Sequence, residues 1–398
     1  MAPKAYEYVK RILDFGFHNA SSVGLGGKLE KQFAERFGQR YGILHANGTA
    51  TMHTALMAAG IGVGDEVIVP AYTVISTGLV AIHANAVPII ADVDPETWTI
   101  DPEDVRRKIT PRTKAVIPVS ICGLSPDMDP LIGLCKEHGL ALIEDNAQCF
   151  LGYYKDRVVG SMGDFASFSF QASKHMTCGD GGILICSDEA LGTAARKAAV
   201  TGFSTLTAEP GQRVVPEELR CHPTFARHTH LGWNYRLPEI AAAVALAELE
   251  RLDELIDFRR EIGRRFDQVV EGCDWLVPQK TPEGYVHAMW TYTVRLARED
   301  IRWEDFRAKF VELGGDGFYG AYRPIHREPI MEKFGDWART QPDRYPQFAP
   351  YMPDYREVTC PVWESIQPHV CQFKTNYFDM ADADRQVAIL AQTIDWFD

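Results

Sequence analysis

Between residues 42 and 145 the chain repeats one pattern, a short apolar run followed by a stretch of helical spacing, and few folds satisfy it. The runs are Gly42-Ile43-Leu44-His45-Ala46, Glu66-Val67-Ile68-Val69-Pro70, Val87-Pro88-Ile89-Ile90-Ala91, Ala115-Val116-Ile117-Pro118-Val119 and Ala141-Leu142-Ile143-Glu144-Asp145. Apolar residues at helical spacing predict helices over 49–59, 76–84 and about 128–138. Strands alternating with helices at this spacing call for an α/β fold, a mostly parallel sheet covered on both faces. Two more strand candidates, 166–170 and 182–186, are where that parallel pattern is expected to break.

At 398 residues the chain is long enough for a large domain, read here as 1–250, and a smaller α+β domain, 251–398, which includes a long connecting helix. Pro238 opens that helical stretch, from Glu239 to about Val270, and a last helix is expected from about Asp382 to Phe397. Residues 203–230, with prolines, a Gly211-Gln212-Arg213 turn and three histidines, read as a long functional or mobile loop.

The formal net charge of -13 argues against a general nucleic-acid binder. No uncharged apolar run reaches about 18 residues, and the first residues lack the apolar core of an export signal, so neither a membrane span nor secretion is expected. Nine scattered cysteines with no C-x-x-C pair read as reduced thiols of a cytoplasmic protein. Asn19-Ala20-Ser21 and Asn47-Gly48-Thr49 then match the glycosylation pattern by chance. The 12 histidines include no H-E-x-x-H or closely spaced ligand set, so a metal hydrolase ranks low and no metal is expected.

Three strand ends carry polar residues, and strand ends form the ligand edge of an open α/β sheet. At Asn47-Gly48-Thr49-Ala50 a helix begins at once, so free N–H groups and the helix dipole favour an anion, although such a turn is more often only a turn. Asp145 ends an apolar strand, where a carboxylate needs a partner: a protonated pyridine nitrogen, a helix N-terminus or an arginine. Lys174 leaves the Ser167-Phe168-Ser169-Phe170 strand beside a glycine-rich turn, where desolvation makes an amine nucleophilic; a solvated loop lysine fits the same spacing.

Together these pieces resemble the sugar aminotransferases of the DegT/DnrJ/StrS group, which are fold-type I pyridoxal-phosphate enzymes. The motifs are Gly48-Thr49-Ala50, Pro70-Ala71-Tyr72-Thr73, Glu144-Asp145-Asn146-Ala147-Gln148, Ser169-Phe170-x-x-x-Lys174, Gly179-x-Gly181-Gly182 and Leu231-Gly232-Trp233-Asn234-Tyr235-Arg236. They run in order, from Gly24-Leu25-Gly26-Gly27 to Cys360-Pro361-Val362. The resemblance implies a seven-stranded-type sheet, with Lys174 as the Schiff-base lysine and Asp145 as partner of the pyridine nitrogen. It implies further that Gly48, Thr49 and Ser169 hold the phosphate, with Gln148 beside the ring. Asn234 would reach the phosphate of the neighbouring subunit in a homodimer with shared sites.

The chain also departs from the pattern. Val74 stands where relatives place an aromatic ring against the cofactor, so stacking is expected to weaken or to come from Tyr72. Ser120 and Phe150 stand where histidines are common. The Phe170-Gln171-Ala172-Ser173-Lys174 and Gly123-Leu124-Ser125-Pro126-Asp127-Met128-Asp129 segments are similar to those of keto-cyclitol and aminohydroxybenzoate-type members. They imply glutamine or glutamate as donor and a keto-cyclitol or amino-sugar precursor as acceptor, at even odds with a nucleotide-linked keto-sugar. Tyr72, Ser120, Tyr322 and His326, together with Trp290, Tyr292, Arg323 and the 203–230 loop, are expected to shape the acceptor pocket. His175 is read as a surface or packing residue. A catalytically idle homologue serving as a regulator is the competing class, and it would not need an intact Asp145–Lys174 pair.

Overall fold

The computed structural model describes residues 3–17, 24–211 and 215–398; the Asn19 sequon and the Gln212-Arg213 part of the expected turn lie outside them. Seven strands form the large sheet: β1 Tyr41–His45, β2 Glu66–Pro70, β3 Val87–Ala91, β4 Thr113–Val116, β5 Ala141–Asp145, β6 Phe165–Ser169 and β7 Gly182–Cys186. Their order is β1-β7-β6-β5-β4-β2-β3. β7 runs antiparallel to both neighbours and every other pairing is parallel, so the break falls at the second of the two late strands. β4 stops at Val116, short of the expected Val119. Pro118 has no N–H to extend the ladder. Instead its carbonyl accepts from Asp145 N at 2.9 Å, and Ser120 N donates to Asp145 O at 3.0 Å, which ties the segment to the end of β5.

Helices α1 Pro3–Phe15, α2 Leu25–Arg36, α3 Gly48–Ala58, α4 Ser76–His83, α5 Pro102–Lys108, α6 Met128–His138 and α7 Glu189–Ala199 cover the sheet. Side-chain caps start three of them: Asn47 accepts from Ala50 N, Asp101 from Glu103 N ahead of Pro102, and Asp188 from Leu191 N. The stretch expected as one helix from 239 to 270 is two, α8 Glu239–Leu249 and α9 Leu252–Val270. The chain turns there, but the passage from one core to the other falls inside α9, whose Leu252 and Ile256 still pack in the first. The alanine-rich α8 buries Ala242, Ala245 and Leu246 against α2 and the large sheet, whereas α9 sends Ile262, Phe266 and Val270 into a second core.

That second core lies under an antiparallel sheet of β8 Leu276–Pro278, β9 Thr291–Leu296, β10 Tyr319–Gly320 and β11 Val370–Lys374, ordered β8-β9-β11-β10. Helices α10 Trp303–Glu312 and α13 Met380–Phe397 pack on it around Phe306, Phe310 and Phe373. Between β10 and β11 the chain crosses back through α11 Pro329–Thr340 and α12 Pro361–Ile366. There Ile325, Met331 and Trp363 join Tyr72 and Val80 in the core of the large sheet. The 203–230 segment carries one helical turn, Glu217–Arg220, and a bridge between Phe203 and His228.

One buried ion pair staples β1 in place. Arg196 on α7 reaches Glu30 on α2 at 3.0 Å and donates to the carbonyls of Gly42 at 2.8 Å and Ala208 at 3.0 Å. Glu30 in turn accepts from Leu44 N at 2.9 Å. Breaking one half of such a pair strands the other charge. Arg196→Met should therefore lower unfolding stability by about 3–5 kcal/mol, read from chemical denaturation, and adding Glu30→Gln should recover part of the loss.

Candidate active site

A cavity of about 690 Å³ opens where β1, β2, β5 and β6 end, and residues of the small sheet close its far side. It is lined from the large sheet by Asn47, Gly48, Thr49, Thr73, Val74, Thr77, Asp145, Gln148, Ser169 and Lys174, and from the other side by Trp290, Tyr319, Tyr322 and Gln372. The parallel strands present their C-terminal ends here, the edge at which open α/β sheets bind ligands.

The anion cradle is the start of α3. Asn47 caps the helix with its side chain at 2.8 Å from Ala50 N, leaving the first N–H groups to face the cavity edge. A Cβ at Gly48 would stand 3.0 Å from Ser169 Cβ, so glycine lets the turn close against β6. Ser169 Oγ lies at that junction and accepts from Gln171 N at 3.3 Å.

Asp145 ends β5 and is 4% exposed. Burial raises its pKa; the Ala147 N–H at 3.2 Å and the Thr77 hydroxyl at 2.9 Å offset this by donating to the carboxylate. Thr77 is itself bonded to Thr73 at 2.8 Å. The neighbouring Glu144 is equally buried, but its oxygens accept from Gly160, Met162 and Gly163 N–H groups and pin that turn. One carboxylate is structural and the other faces the cavity.

Lys174 sits on a turn made by its own N–H to Gln171 O, 2.9 Å. Its amine stands 4.5 Å from the centroid of the Trp290 ring. Burial lowers its pKa to about 8; Asp145 opposes that shift and Arg259 adds to it. Gln148 Oε1 accepts from Cys122 N at 2.7 Å, which leaves its NH₂ group for the cavity. That contact depends on a turn with Cys122 at φ 58° and Gly123 at φ 110°. The carbonyls of this turn accept from Trp290 N at 2.9 Å and Ala288 N at 2.8 Å, which positions the Trp290 segment.

Several residues expected at the pocket stand off it. Tyr72 is not on the cavity wall: its ring stacks on Trp363, centroids 3.8 Å apart, and its hydroxyl meets Cys122 Sγ at 3.3 Å. It cannot replace the ring missing at Val74. Ser120 is buried behind the wall, donating to Asn146 at 2.8 Å. His326 is fully buried and bonded to Glu364 at 2.8 Å, where it braces the segment before α11. Phe150 packs among Phe33, Phe37 and Phe168 under the sheet, and His175 packs beside it with Nε2 on Ala288 O at 2.8 Å. Tyr292 turns away to Asp267. No described residue of 203–230 lines the cavity. Asn234 is exposed and lies outside its own chain's cavity.

Thr77, Gln372 and Arg259 were not singled out from the sequence. Thr77 lies in the first turn of α4 and Thr73 in the bend before it, and the sequence carries no clear signal that they meet Asp145. Gln372 and Arg259 lie on an ordinary strand and an ordinary amphipathic helix, which give none.

Residues 7–368 match the DegT/DnrJ/EryC1/StrS aminotransferase family. A Streptomyces kanamyceticus protein named for L-glutamine:3-amino-2,3-dideoxy-scyllo-inosose aminotransferase activity is 32% identical over 364 residues, 86% of this chain and 82% of that protein. GDP-perosamine synthase of Caulobacter vibrioides is 34% identical over 326 residues, 81% of this chain and 82% of its own. The crystal structure of 3-amino-5-hydroxybenzoic acid synthase superposes with a TM-score of 0.82 at 26% identity, covering 100% of this chain and 98% of that one.

A lysine whose pKa falls on folding penalises the folded state while it is charged. The penalty is full below about pH 8, shrinks as pH rises and is gone above the ordinary lysine value. In cofactor-free protein, Lys174→Met should therefore be more stable than wild type at pH 7, by at most about 3 kcal/mol. That advantage should vanish towards pH ~10.5. Denaturation curves at several pH values measure it; a gap that does not change with pH would show that the amine is not desolvated.

Proposed function

We propose, from the premise that this chain belongs to the DegT/DnrJ/EryC1/StrS aminotransferase family and is a pyridoxal-phosphate-dependent aminotransferase, that it moves an amino group from glutamine or glutamate to a ketone carbon of a cyclitol or sugar. The observation that carries this reading is a desolvated amine, a buried carboxylate and a helix N-terminus converging on one cavity. Each part of the cofactor finds a complement there. The first N–H groups of α3, with Gly48, Thr49 and Ser169, suit a phosphate. Asp145, buried without a lysine or arginine salt bridge among the described residues, suits a protonated ring nitrogen. The free NH₂ of Gln148 suits a phenolate oxygen.

Bound in this way, pyridoxal phosphate supplies the electron sink on which an amino group is held between donor and acceptor. Asp145 keeps the proton on the ring nitrogen. Lys174 would anchor the cofactor, and its amine would move the proton at the donor's α-carbon; a pKa near 8 leaves a useful uncharged fraction at neutral pH. Val74 covers one side of the site with aliphatic contact in place of an aromatic ring. Tyr319 and Tyr322, on the small-sheet side, bound the space left for the acceptor.

The acceptor is read as an uncharged cyclitol ketone, and the resulting amine belongs to aminocyclitol or amino-sugar biosynthesis. Among the described residues no arginine lines the cavity, and of its two lysines Lys374 is held by Asp316 at 2.8 Å. A nucleotide diphosphate would want more positive charge than that. The Caulobacter relative favours the nucleotide-linked sugar as the second reading. The enzyme is read as a cytoplasmic homodimer with shared sites. Supporting this, Asn234 lies beside Leu231 and Trp233, which are 85% and 49% exposed, a face suited to a second copy. No described helix is long and apolar enough to cross a membrane.

Purified protein should be yellow, and borohydride should fix the cofactor on the peptide that contains Lys174; fixation elsewhere, or a colourless protein that cannot be reconstituted, overturns the assignment. Glutamine or glutamate should bleach the yellow form, and a keto-cyclitol should restore it faster than a nucleotide-linked keto-sugar. Restoration by simple 2-oxo acids alone would remove the carbohydrate reading.

A further inference from the structure

Arg259, on α9, is 6% exposed and has no carboxylate partner among the described residues. Its guanidinium spends its N–H groups on backbone carbonyls: Lys174 O at 2.8 Å, Ser173 O at 3.3 Å and Trp290 O at 3.1 Å, with Thr375 Oγ1 at 3.5 Å. A buried cation without a counter-ion is expensive. Burial pulls this guanidinium down to about 10, a measure of how dry its surroundings are. Packing alone is served better by a neutral side chain. The position of the charge is what distinguishes it, at the backbone of the reactive turn.

We propose that Arg259 is a positioning residue for Lys174, gripping the lysine turn from α9 and placing a positive charge beside its amine. The inference rests on Lys174 being the cofactor-bearing amine. Two clamps act on the same turn. Arg259 takes the carbonyls of Ser173 and Lys174, while Trp290 Nε1 donates to Ser173 O at 3.0 Å and offers its ring to the amine. Arg259 also fixes Trp290 through its carbonyl, so one side chain sets both the turn and the ring against which the amine lies.

Charges facing the amine come from several elements. Asp145 at the end of β5 favours the ammonium form, whereas Arg259 opposes it; burial raises the pKa of the Cys122 thiol and so keeps it neutral. Asp180 and Lys374 also line the cavity. His175, next in the chain, is held neutral by burial. Within this set Arg259 acts on the amine in the opposite sense to Asp145.

The test uses full-length protein loaded with pyridoxamine phosphate, in which the Lys174 amine is free. Competitive acetylation, followed by mass spectrometry of the Lys174 peptide from about pH 6 to about pH 11, gives its titration midpoint. Stopped-flow mixing of the pyridoxal-phosphate form with glutamine gives the rate of the first half-reaction. Arg259→Gln should raise the midpoint by about one unit. Arg259→Lys keeps the charge but cannot span the carbonyls; its midpoint should stay within about half a unit while the half-reaction slows about tenfold. A folded Arg259→Gln protein with the wild-type midpoint, or Arg259→Lys at the wild-type rate, overturns the proposal. If Arg259→Gln does not fold, Arg259→Lys decides: a wild-type rate overturns it, and a slowed rate with a retained midpoint supports it. If wild type fails to fix cofactor on Lys174 under borohydride, the functional reading fails instead, whatever the variants do.

Discussion

A partly desolvated amine and a buried carboxylate at the same sheet edge are costly, and much of this fold is arranged to keep them there. Asp145 keeps its place because the end of β5 is bonded on both sides, to Pro118 and Ser120 along its backbone and to Ala147 and Thr77 at its carboxylate. Lys174 keeps its place because a second core closes over it. Trp290, just before β9, and Arg259, on α9, lie outside the large sheet, yet each donates to a carbonyl of the lysine turn. Asp145 is fixed by the large sheet alone, whereas the lysine turn depends on the second core as well.

The two cores are therefore joined by function as well as by packing. The strained turn at Cys122-Gly123 is where they meet: it sends one N–H to Gln148 in the cavity wall and two carbonyls to the Ala288–Trp290 segment. Backbone strain of this kind persists where surrounding contacts hold it in place, and here they do. Gln372 on the small sheet completes the junction by donating to the Tyr72 hydroxyl behind the wall. Rigid positioning of cavity groups from both sides suits a site in which two substrates in turn meet the same amine.

The departures from the common family pattern fall into two kinds. Val74 is a real change to the cavity wall. Phe150 and Ser120 are not, since one lies in an aromatic cluster beneath the sheet and the other braces Asn146. Tyr72 and His326 likewise carry structure, through Trp363 and Glu364. What remains on the cavity wall from the small-sheet side is a smaller set that includes Tyr319, Tyr322 and Gln372.

Much of the large sheet was legible from residue order alone, because apolar runs buried on both faces leave the same periodic mark wherever they occur. The ends of those runs also exposed Asp145, Lys174 and the Gly48 turn as candidates, since strand ends are the positions where polar groups meet a ligand edge. The break between α8 and α9 was not legible, because both halves are good helices and their local pattern does not mark the junction. Nor were Arg259 and Gln372, whose local patterns are those of any amphipathic helix or half-buried strand. The sequence by itself determined which chemical groups the protein carries and at which sheet edge they emerge. Tertiary structure alone decided which of them meet in one cavity, because burial and hydrogen-bond partners are set by contacts between residues far apart in the chain.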